Sequence, residues 1–461
     1  MSKFNYDYSK TLWMKMYLAT PDFGRGTSNV RIRFEDALEI IKTVDNLTQG
    51  IRKIVYLVGW QGLGHDDCYP EMRKVNDFLK REEDRDGRES LLWLFEQAKR
   101  YHTVVSVHGN LADEYGENES HPDFVAADAI VKNPDGTPAV IEVFNGRNAY
   151  KISYKQFWES GLFKRIWEEF LDTVPVREAG TVHLDNFCIA ESFSPRTTVE
   201  EQDEARAAIL DYIRSEGIDV TSEYTYRELP LRADDPGHPI RRFYAKHCGD
   251  LPVSTWREAP VRTLGRIPAT WWTSNMTAED CMKIPPSEYS GRLTDGALFA
   301  VFYGAMHGED IWLNRGIRNE DWVPAFLREF CTVQLPYFYL NRHARLTLEQ
   351  DPDGTYTAGF SDGVVSRGRD GSIFKNGVLL KEGTDVILPL TEGNRTFIAY
   401  SEGGRSGCLN VPDAAFRKAS VWEITAEGNR FLTEVRVKDG TVELDVKPNQ
   451  ALVLLGEEDA D

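Results

Sequence analysis

Apolar residues along the first three quarters of the chain follow two spacings, one typical of helices and one typical of strands. In Phe34–Leu47 the apolar positions are 34, 37, 38, 41, 44 and 47, which predicts a helix with one buried face. Residues 51–60 form a nearly continuous apolar run, which predicts a parallel strand covered on both faces. The alternation continues to about residue 340, with helices predicted at 90–101, 154–172, 198–216 and 321–331 and strands at 104–110, 181–187, 217–224 and 297–303.

Repeated strand and helix segments predict either a β/α barrel or an open doubly wound sheet. No GxGxxG or GxxxxGK[ST] motif follows an early strand. An open sheet that binds a nucleotide is therefore less favoured than a barrel. We therefore expect a (β/α)8 TIM-type barrel with insertions. Residues 111–150 are the clearest insertion, because Asn133-Pro134-Asp135-Gly136 is a turn signal that predicts a β-hairpin.

The pattern changes after about residue 343, where short alternating runs are separated by turn dipeptides. Such dipeptides favour tight hairpins, so this region is predicted to be an antiparallel β-sandwich. The predicted domains are a catalytic barrel over residues 1–342 and the sandwich over residues 343–461. The dipeptides are Asp353-Gly354, Asp362-Gly363, Asp370-Gly371, Asn376-Gly377 and Asp439-Gly440.

Composition narrows the choice of partners and of compartment. The 461 residues carry a net charge of −19, which repels phosphate backbones and anionic lipid, so nucleic acid and membrane partners are not expected. The first residues lack the apolar run of a signal peptide, and no stretch approaches the roughly 20 apolar residues of a membrane span. The six cysteines are scattered singly, as expected of a cytoplasmic protein with reduced thiols.

Two predicted strands each end in a carboxylate. Asp185 closes the run 181–187, Glu223 closes the run 217–224, and the predicted helix 198–216 joins them. In a β/α barrel the carboxyl ends of the strands form the catalytic face, where two carboxylates can act on a glycosidic bond. The alternatives are a helix N-cap or a surface ion pair, but the next helix after Asp185 is predicted only about a dozen residues later.

Strand alternation adds further polar candidates to this face. His108 and Asn110 share one face of the run 104–110, and Gln61 shares the face of Val55 and Leu57. His65 and Asp66 follow in the next loop, and Trp271, in the pair Trp271-Trp272, is a candidate for stacking on a sugar ring. A metal-dependent barrel hydrolase stays open, with candidate ligands His65, Asp66, His108 and His183. A metal site favours several histidines at short spacing, however, and the chain offers only His183-x-Asp185.

These segments, in this order, resemble glycoside hydrolase family 101, the endo-α-N-acetylgalactosaminidases, with the exo-acting enzymes of family 129 close by. The resemblance extends loosely over residues 51–455 and is carried by the order and spacing of its motifs. The motifs are Gly59-Trp60-Gln61 with Gly64-His65-Asp66 and Tyr69-Pro70, Val107-His108-Gly109-Asn110 with Glu114-Tyr115, His183-Leu184-Asp185, Glu223, and Leu335-Pro336 with Tyr339-Leu340. Residues 225–295 do not align with the family pattern, and the large flanking sugar-binding modules are missing.

The resemblance implies a retaining double displacement on α-linked N-acetylgalactosamine or on Galβ1-3GalNAc. Asp185 would be the nucleophile and Glu223 the acid/base, with Gln61, His65, Asp66, His108, Asn110 and Trp271 binding the carbohydrate substrate. No cofactor is required and no catalytic metal is expected. A structural Ca²⁺ is compatible with this mechanism. A retaining α-glycosidase of other sugar specificity is the nearest alternative.

Overall fold

The computed structural model describes residues 5–6, 11–185, 187, 189–222, 306–307, 322–340, 342–343, 345–350, 352, 356–367 and 371–457. Glu223, Trp271 and the predicted strand 297–303 lie outside these residues. Contacts divide the chain into two compact units. The first is drawn from Met1–Ile41, Arg52–Glu258 and Met306–Ile317, and the second from Lys42–Ile51, Ala259–Ala305 and Arg318–Asp461.

The described strands up to residue 307 are short, and six of the thirteen form one parallel sheet. They are β1 Leu12–Tyr17, β2 Ala19–Asp22, β3 Thr27–Val30, β4 Lys53–Val58, β5 Thr103–Asn110, β6 Asp113–Tyr115, β7 Val140–Phe144, β8 Arg147–Lys151, β9 Thr181–Asp185, β10 Ser192–Phe193, β11 Arg196–Thr197, β12 Asp219–Ser222 and β13 Met306–His307. The helices between them are α1 Phe34–Leu47, α2 Gly87–Ala98, α3 His121–Ala126, α4 Tyr154–Glu159, α5 Leu162–Thr173, α6 Val176–Ala179 and α7 Val199–Ser215, with 3₁₀ turns at Asp77–Leu79 and Lys99–Tyr101.

The parallel sheet has six described strands in the order β12-β9-β5-β4-β1-β13. Neighbours from β1 to β12 follow chain order, and each crossover between them carries at least one helix. All six residues of β4 are buried, as its continuous apolar run predicts. The mixed α/β architecture with a parallel sheet is therefore confirmed, while closure into an eight-stranded barrel stays a prediction.

Local sequence explains where the helices begin and end. Thr198 caps α7 in a capping box with Glu201, which satisfies two backbone N–H groups at the start of the helix. The prediction of a single helix at 154–172 was wrong, because this segment forms two helices, α4 and α5. Gly161 adopts φ 78° there, a left-handed conformation that interrupts the helix.

The insertion at 111–150 forms a three-stranded antiparallel sheet in the order β6-β8-β7, with α3 between β6 and β7. The predicted hairpin is present as β7 and β8. The turn signal at 133–136 also forms a turn, closed by a hydrogen bond from the Gly136 N–H to the Asn133 carbonyl at 2.9 Å.

The second unit is dominated by antiparallel strands. They are β14 Arg345–Gln350, β15 Tyr356–Phe360, β16 Val364–Arg367, β17 Ser372–Lys375, β18 Val378–Glu382, β19 Asp385–Pro389, β20 Thr396–Ser401, β21 Arg405–Asn410, β22 Lys418–Thr425, β23 Gly428–Arg436, β24 Thr441–Val446 and β25 Gln450–Gly456, preceded by α8 Trp322–Glu329, a π-helical turn at Phe330–Gln334 and α9 Leu335–Leu340. A 3₁₀ turn at Ser361–Gly363 follows β15. Ten of these strands form one sheet and β21 pairs with β24 in another.

Turn chemistry sets the tight turns of this unit. Asn376 and Gly377, between β17 and β18, adopt φ 50° and 80°, and Asp439 and Gly440, between β23 and β24, adopt φ 51° and 73°. Two consecutive positive φ values are what tight hairpin turns require. The predicted antiparallel region is confirmed. The domain boundary at 342/343 stays a prediction, and α8 and α9 are grouped with the second unit.

No helix among the described residues is both long enough and apolar enough to cross a membrane.

Candidate functional site

Asp185 lies at the carboxyl end of β9, beside the end of β5. The register of these two strands pairs His108 with His183 and Asn110 with Asp185. His108 is almost fully buried, and its Nε2 lies 3.6 Å from Oδ2 of Asp185, whose side chain keeps 18% of its surface exposed. The carboxylate is thus anchored on protein at one side and accessible at the other.

The face of β4 that reaches this cluster is that of Tyr56. Its hydroxyl lies 2.7 Å from Thr181 Oγ1, and its ring lies 5.6 Å from the His183 ring. Gln61 was expected to reach the site on the same strand face as Val55 and Leu57. In the structure the opposite face of β4 reaches the site. Because β4 ends at Val58 and Gly59 adopts φ 77°, strand alternation does not extend to Gln61.

The loop after β4 is folded tightly against β2. The His65 N–H donates to the Ala19 carbonyl at 2.8 Å, and Gly59, Gly62 and Gly64 all have positive φ values. Gln61 is buried, and its amide donates to the carbonyls of Gly64 at 3.0 Å and Asp67 at 3.2 Å. Gln61 therefore holds the loop that carries His65 and Asp66.

Five side chains from this loop and from β5 and β9 form one continuous series of contacts. His65 Nε2 lies 3.4 Å from Asp66 Oδ2, and His65 Nδ1 lies 3.4 Å from the Tyr69 hydroxyl. The same hydroxyl lies 3.2 Å from His108 Nδ1, and His108 Nε2 faces Asp185. We call this series, Asp66–His65–Tyr69–His108–Asp185, the relay. It links the two carboxylates through two imidazoles and one phenol.

Asn110 faces the adjoining turn. Its Oδ1 accepts hydrogen bonds from the N–H groups of Ala112 at 2.7 Å and Asp113 at 3.0 Å, and its Nδ2 donates to Asp113 Oδ2 at 2.7 Å. A side chain bonded to the backbone two residues on stabilises a local turn. Asn110 therefore shapes the step from β5 to β6, next to Asp185 in register.

Burial favours the neutral form of the His65 and His183 imidazoles. Burial, with the neighbouring His108, lowers the pKa of His65 to about 3. Burial also lowers the pKa of His183 well below its usual value, with Lys15 and His108 acting in the same direction. Burial, with the charges of Asp66 and Asp185, raises the pKa of Tyr69 well above its usual value. At neutral pH His65 and His183 are therefore neutral imidazoles and Tyr69 is a neutral phenol.

The ligand atoms of His108, His183 and Asp185 all lie within 4.8 Å of one another. His183 Nδ1 is held at 2.9 Å from Thr221 Oγ1, which fixes the orientation of its ring. Two histidines and a carboxylate are a donor set that zinc uses in hydrolases. His108 and His183 are both among the candidate metal ligands from the sequence, and among the described residues they come together here with Asp185.

Two of these residues were not singled out as site residues from the sequence. Lys15, on β1, is 4% exposed and close enough to the imidazoles to lower the pKa values of His65 and His183. A lysine inside the apolar run Leu12–Tyr17 is the signal that could have identified it from the sequence. Tyr69 belongs to one of the motifs that resemble the family, Tyr69-Pro70. Its contacts with His65 and His108 are visible only in the folded loop.

The structure thus brings His65, Asp66, His108 and Asp185 together. It places Gln61 and Asn110 in the supporting turns beside them. Glu223 and Trp271 lie outside the described residues, so their positions stay predictions, as do the catalytic and sugar-binding roles of the whole set.

The parallel sheet with this cluster at its carboxyl edge lies largely within a segment that is similar to a glycoside hydrolase family. Residues 23–228 match the family model described as Endo-alpha-N-acetylgalactosaminidase, which confirms the resemblance to glycoside hydrolase family 101. The matched segment includes Asp185 and Glu223, whereas Trp271 falls beyond it.

Similar solved structures include the ligand-free α-N-acetylgalactosaminidase NagBb from Bifidobacterium bifidum, with 15% identity, a TM-score of 0.49, and coverage of 79% of this chain and 58% of that one. This chain thus spans less than two thirds of NagBb. Another is an α-amylase from Anoxybacillus, with 10% identity, a TM-score of 0.40, and coverage of 99% and 100%. No curated protein matches the chain by sequence.

Proposed function

We propose that this chain is a retaining glycoside hydrolase that cleaves α-linked N-acetylgalactosamine, or Galβ1-3GalNAc, from glycans or glycopeptides. The observation that carries the proposal is Asp185, a partly exposed carboxylate that ends β9 beside the buried His108, inside the segment that matches the family model. A carboxylate nucleophile needs such a place, because it must reach the anomeric carbon while its own orientation is fixed.

Glu223 is proposed as the acid/base. The register of β9 and β12 pairs Leu184 with Ser222, and Asp185 and Glu223 are the next residues along the chain. Neighbouring strands lie about 4.8 Å apart, and retaining enzymes hold their two carboxyl groups about 5–5.5 Å apart. The register supports a retaining pair. Glu223 would protonate the leaving oxygen as Asp185 attacks, and would then deprotonate the water that releases the sugar.

The finer features of the fold and setting belong to the same proposal. We propose that the parallel strands close into a (β/α)8 barrel and that the antiparallel strands form a β-sandwich, two of whose sheets share the core of Phe397, Leu409, Val442 and Leu454. His65, Asp66 and Trp271 would contact sugar, without a cofactor. A cytoplasmic location is supported by Cys68, Cys331 and Cys408, which are free thiols in the described chain.

A screen of p-nitrophenyl α- and β-glycosides, including the Galβ1-3GalNAcα glycoside, tests substrate and stereochemistry together. We expect turnover of an α-N-acetylgalactosaminide and release of the α-anomer first, because two displacements at one carbon restore its configuration. Proton NMR of the first turnovers reads the anomer before mutarotation. First release of the β-anomer would show an inverting enzyme. Activity only on another α-glycoside would show that the enzyme is specific for that sugar instead of N-acetylgalactosamine.

A metal-dependent hydrolase is the second candidate, favoured by the spacing of His108, His183 and Asp185. For the retaining mechanism we expect full activity after dialysis against a chelator, and less than one equivalent of zinc by elemental analysis. Loss of activity on chelation, restored by zinc but not by calcium, would favour the metal enzyme. Loss restored by calcium alone would indicate a structural ion.

A further inference from the structure

The second unit contains a pocket of about 520 Å³, a volume that includes space open to solvent. This lies within the range of roughly 300–1,000 Å³ that is typical of small-molecule sites. All of its lining residues belong to the second unit, whereas Asp185 belongs to the first. The polar side chains that line it are Tyr339, Arg342, His343, Lys375, Glu392 and Asn394.

The charge of this pocket is opposite in sign to that of the whole chain. Its lining carries two positive side chains, Arg342 and Lys375, and one negative side chain, Glu392. The chain as a whole has a net charge of −19. A concave site with an excess of one charge attracts ligands of the opposite charge. The pocket therefore favours an anion, although the rest of the surface repels one.

Arg342 is a partly buried cation that bonds only to carbonyl groups. Its Nη1 donates to the Thr391 carbonyl at 3.0 Å and its Nη2 to the Leu390 carbonyl at 2.5 Å. It forms no ion pair with a carboxylate of the described residues, and Glu392 acts on it from a longer distance. Burial lowers the pKa of Arg342. A bound anion would offset the cost of burying this charge.

Two other side chains of the pocket each have a buried polar atom without a hydrogen-bond partner among the described residues. Tyr339 is 4% exposed, and the atom is its hydroxyl oxygen. His343 is 9% exposed, and the atom is its Nε2. The centroids of the two rings lie 5.1 Å apart. Buried polar groups are nearly always satisfied, so two unsatisfied groups at one pocket indicate a ligand that supplies the partner.

The contact with Asp362 decides which atom of His343 faces a ligand. His343 Nδ1 lies 3.0 Å from Asp362 Oδ2, and this hydrogen bond lowers the pKa of Asp362. An ionised carboxylate only accepts, so Nδ1 carries the proton. Burial lowers the pKa of His343, and the charges of Lys375 and Arg342 act in the same direction, against the effect of Asp362. Nε2 is therefore unprotonated at neutral pH in the free protein.

We propose that this pocket binds an oxyanion, the carboxylate, sulfate or phosphate group of a small ligand, held by Arg342, the Tyr339 hydroxyl and protonated His343. A guanidinium matches the geometry of an oxyanion, and the phenol donates its O–H. The anion offsets the positive charges that oppose a second proton on His343, so Nε2 takes one proton from solvent and donates it to the ligand. The site does not depend on the proposed glycosidase activity.

Titration of the full chain with sodium sulfate tests the site, with ionic strength held constant by sodium chloride. Sulfate does not titrate near neutral pH, so any proton uptake belongs to the protein. Two-bond ¹H–¹⁵N spectra of protein labelled with ¹⁵N-histidine follow His343, whose signal is assigned with His343→Gln. We expect saturable binding that raises the pKa of His343. A response no larger than that to sodium chloride alone, for both sulfate and glucuronate, would overturn the proposal.

Sodium glucuronate, a carboxylate on a sugar ring, identifies the source of the oxyanion. Glucuronate that binds more than about tenfold tighter than sulfate would indicate an acidic sugar as the ligand, because only the sugar ring adds contacts. Sulfate that binds as tightly as glucuronate or tighter would indicate a free inorganic ion. Both outcomes support the oxyanion site.

Tyr339→Phe tests the site without disturbing the fold. The Tyr339 hydroxyl has no partner among the described residues, so its removal should not lower the free energy of unfolding. It should weaken sulfate binding about tenfold, because a hydrogen bond to a charged group is lost. Ser366→Ala is the matched control, since it removes another buried hydroxyl without a partner, from β16, away from the lining. Equal effects of the two variants on sulfate affinity would reject the role of Tyr339.

Arg342→Gln removes the charge at the centre of the proposed site. In the absence of sulfate the pKa of His343 should rise, because the charge of Arg342 holds it down. Sulfate affinity should fall by at least about tenfold. Arg342 also bonds to two carbonyls, so unfolding curves are recorded in parallel, and if this variant does not fold then Tyr339→Phe decides. Unchanged sulfate affinity in Tyr339→Phe would overturn the proposed arrangement.

Discussion

Asp185→Asn should abolish turnover of an aryl α-N-acetylgalactosaminide, with kcat reduced by at least about 10⁴-fold. An amide has almost the same size as the carboxylate, so the contact with His108 and the folded state should survive. The amide lacks the negative charge and nucleophilicity needed to form a glycosyl-enzyme bond. Single-turnover and steady-state assays, together with a circular dichroism spectrum, measure chemistry and folding separately.

Asp211→Asn supplies the control, because Asp211 is an exposed carboxylate on α7. Its activity should match that of the wild-type protein. Glu223→Gln should behave differently from Asp185→Asn, keeping activity on substrates with good leaving groups and gaining rate with azide, since a lost acid/base can be bypassed. More than about a tenth of wild-type kcat in Asp185→Asn would exclude a nucleophilic Asp185.

Hydrophobic periodicity was sufficient for the regular elements around the site. The helix predicted at Phe34–Leu47 has those bounds in the structure, and the run 104–110 forms nearly all of β5. Both have one strongly apolar face or a continuous apolar run, so that burial dictates their conformation. Asp185 and His108 could therefore be placed at neighbouring strand ends from sequence alone.

The loop after β4 could not be predicted in the same way. Its path depends on single contacts between distant segments, such as the bond from His65 to Ala19, and on positive φ values at Asp66 and Cys68. A left-handed conformation at a residue other than glycine is uncommon and is held by surrounding structure. The relay, which needs Tyr69 between two histidines, follows from that path and has no signature in residue spacing.

The same loop should be the most sensitive backbone segment of the site, and Gly59→Ala tests it. A Cβ at Gly59 would fall on the Ala19 carbonyl oxygen and lie 2.9 Å from the His65 nitrogen, which takes part in the bond between those two residues. The backbone would have to move, because neither contact is with a flexible side chain. We expect the free energy of unfolding to fall by about 3–5 kcal/mol.

Gly136→Ala is the matched control for this prediction. Gly136 has φ 83°, close to the 77° of Gly59, and a Cβ there would meet nothing within 4 Å. It should cost only the left-handed conformation itself, about 1–2 kcal/mol. Denaturant unfolding curves give both values, and activity of the folded fraction should fall in Gly59→Ala alone, because His65 and Asp66 move with the loop. Equal losses of stability in the two variants would mean that the loop is not packed against β2, and the relay would then lose the contact that holds His65 against Tyr69.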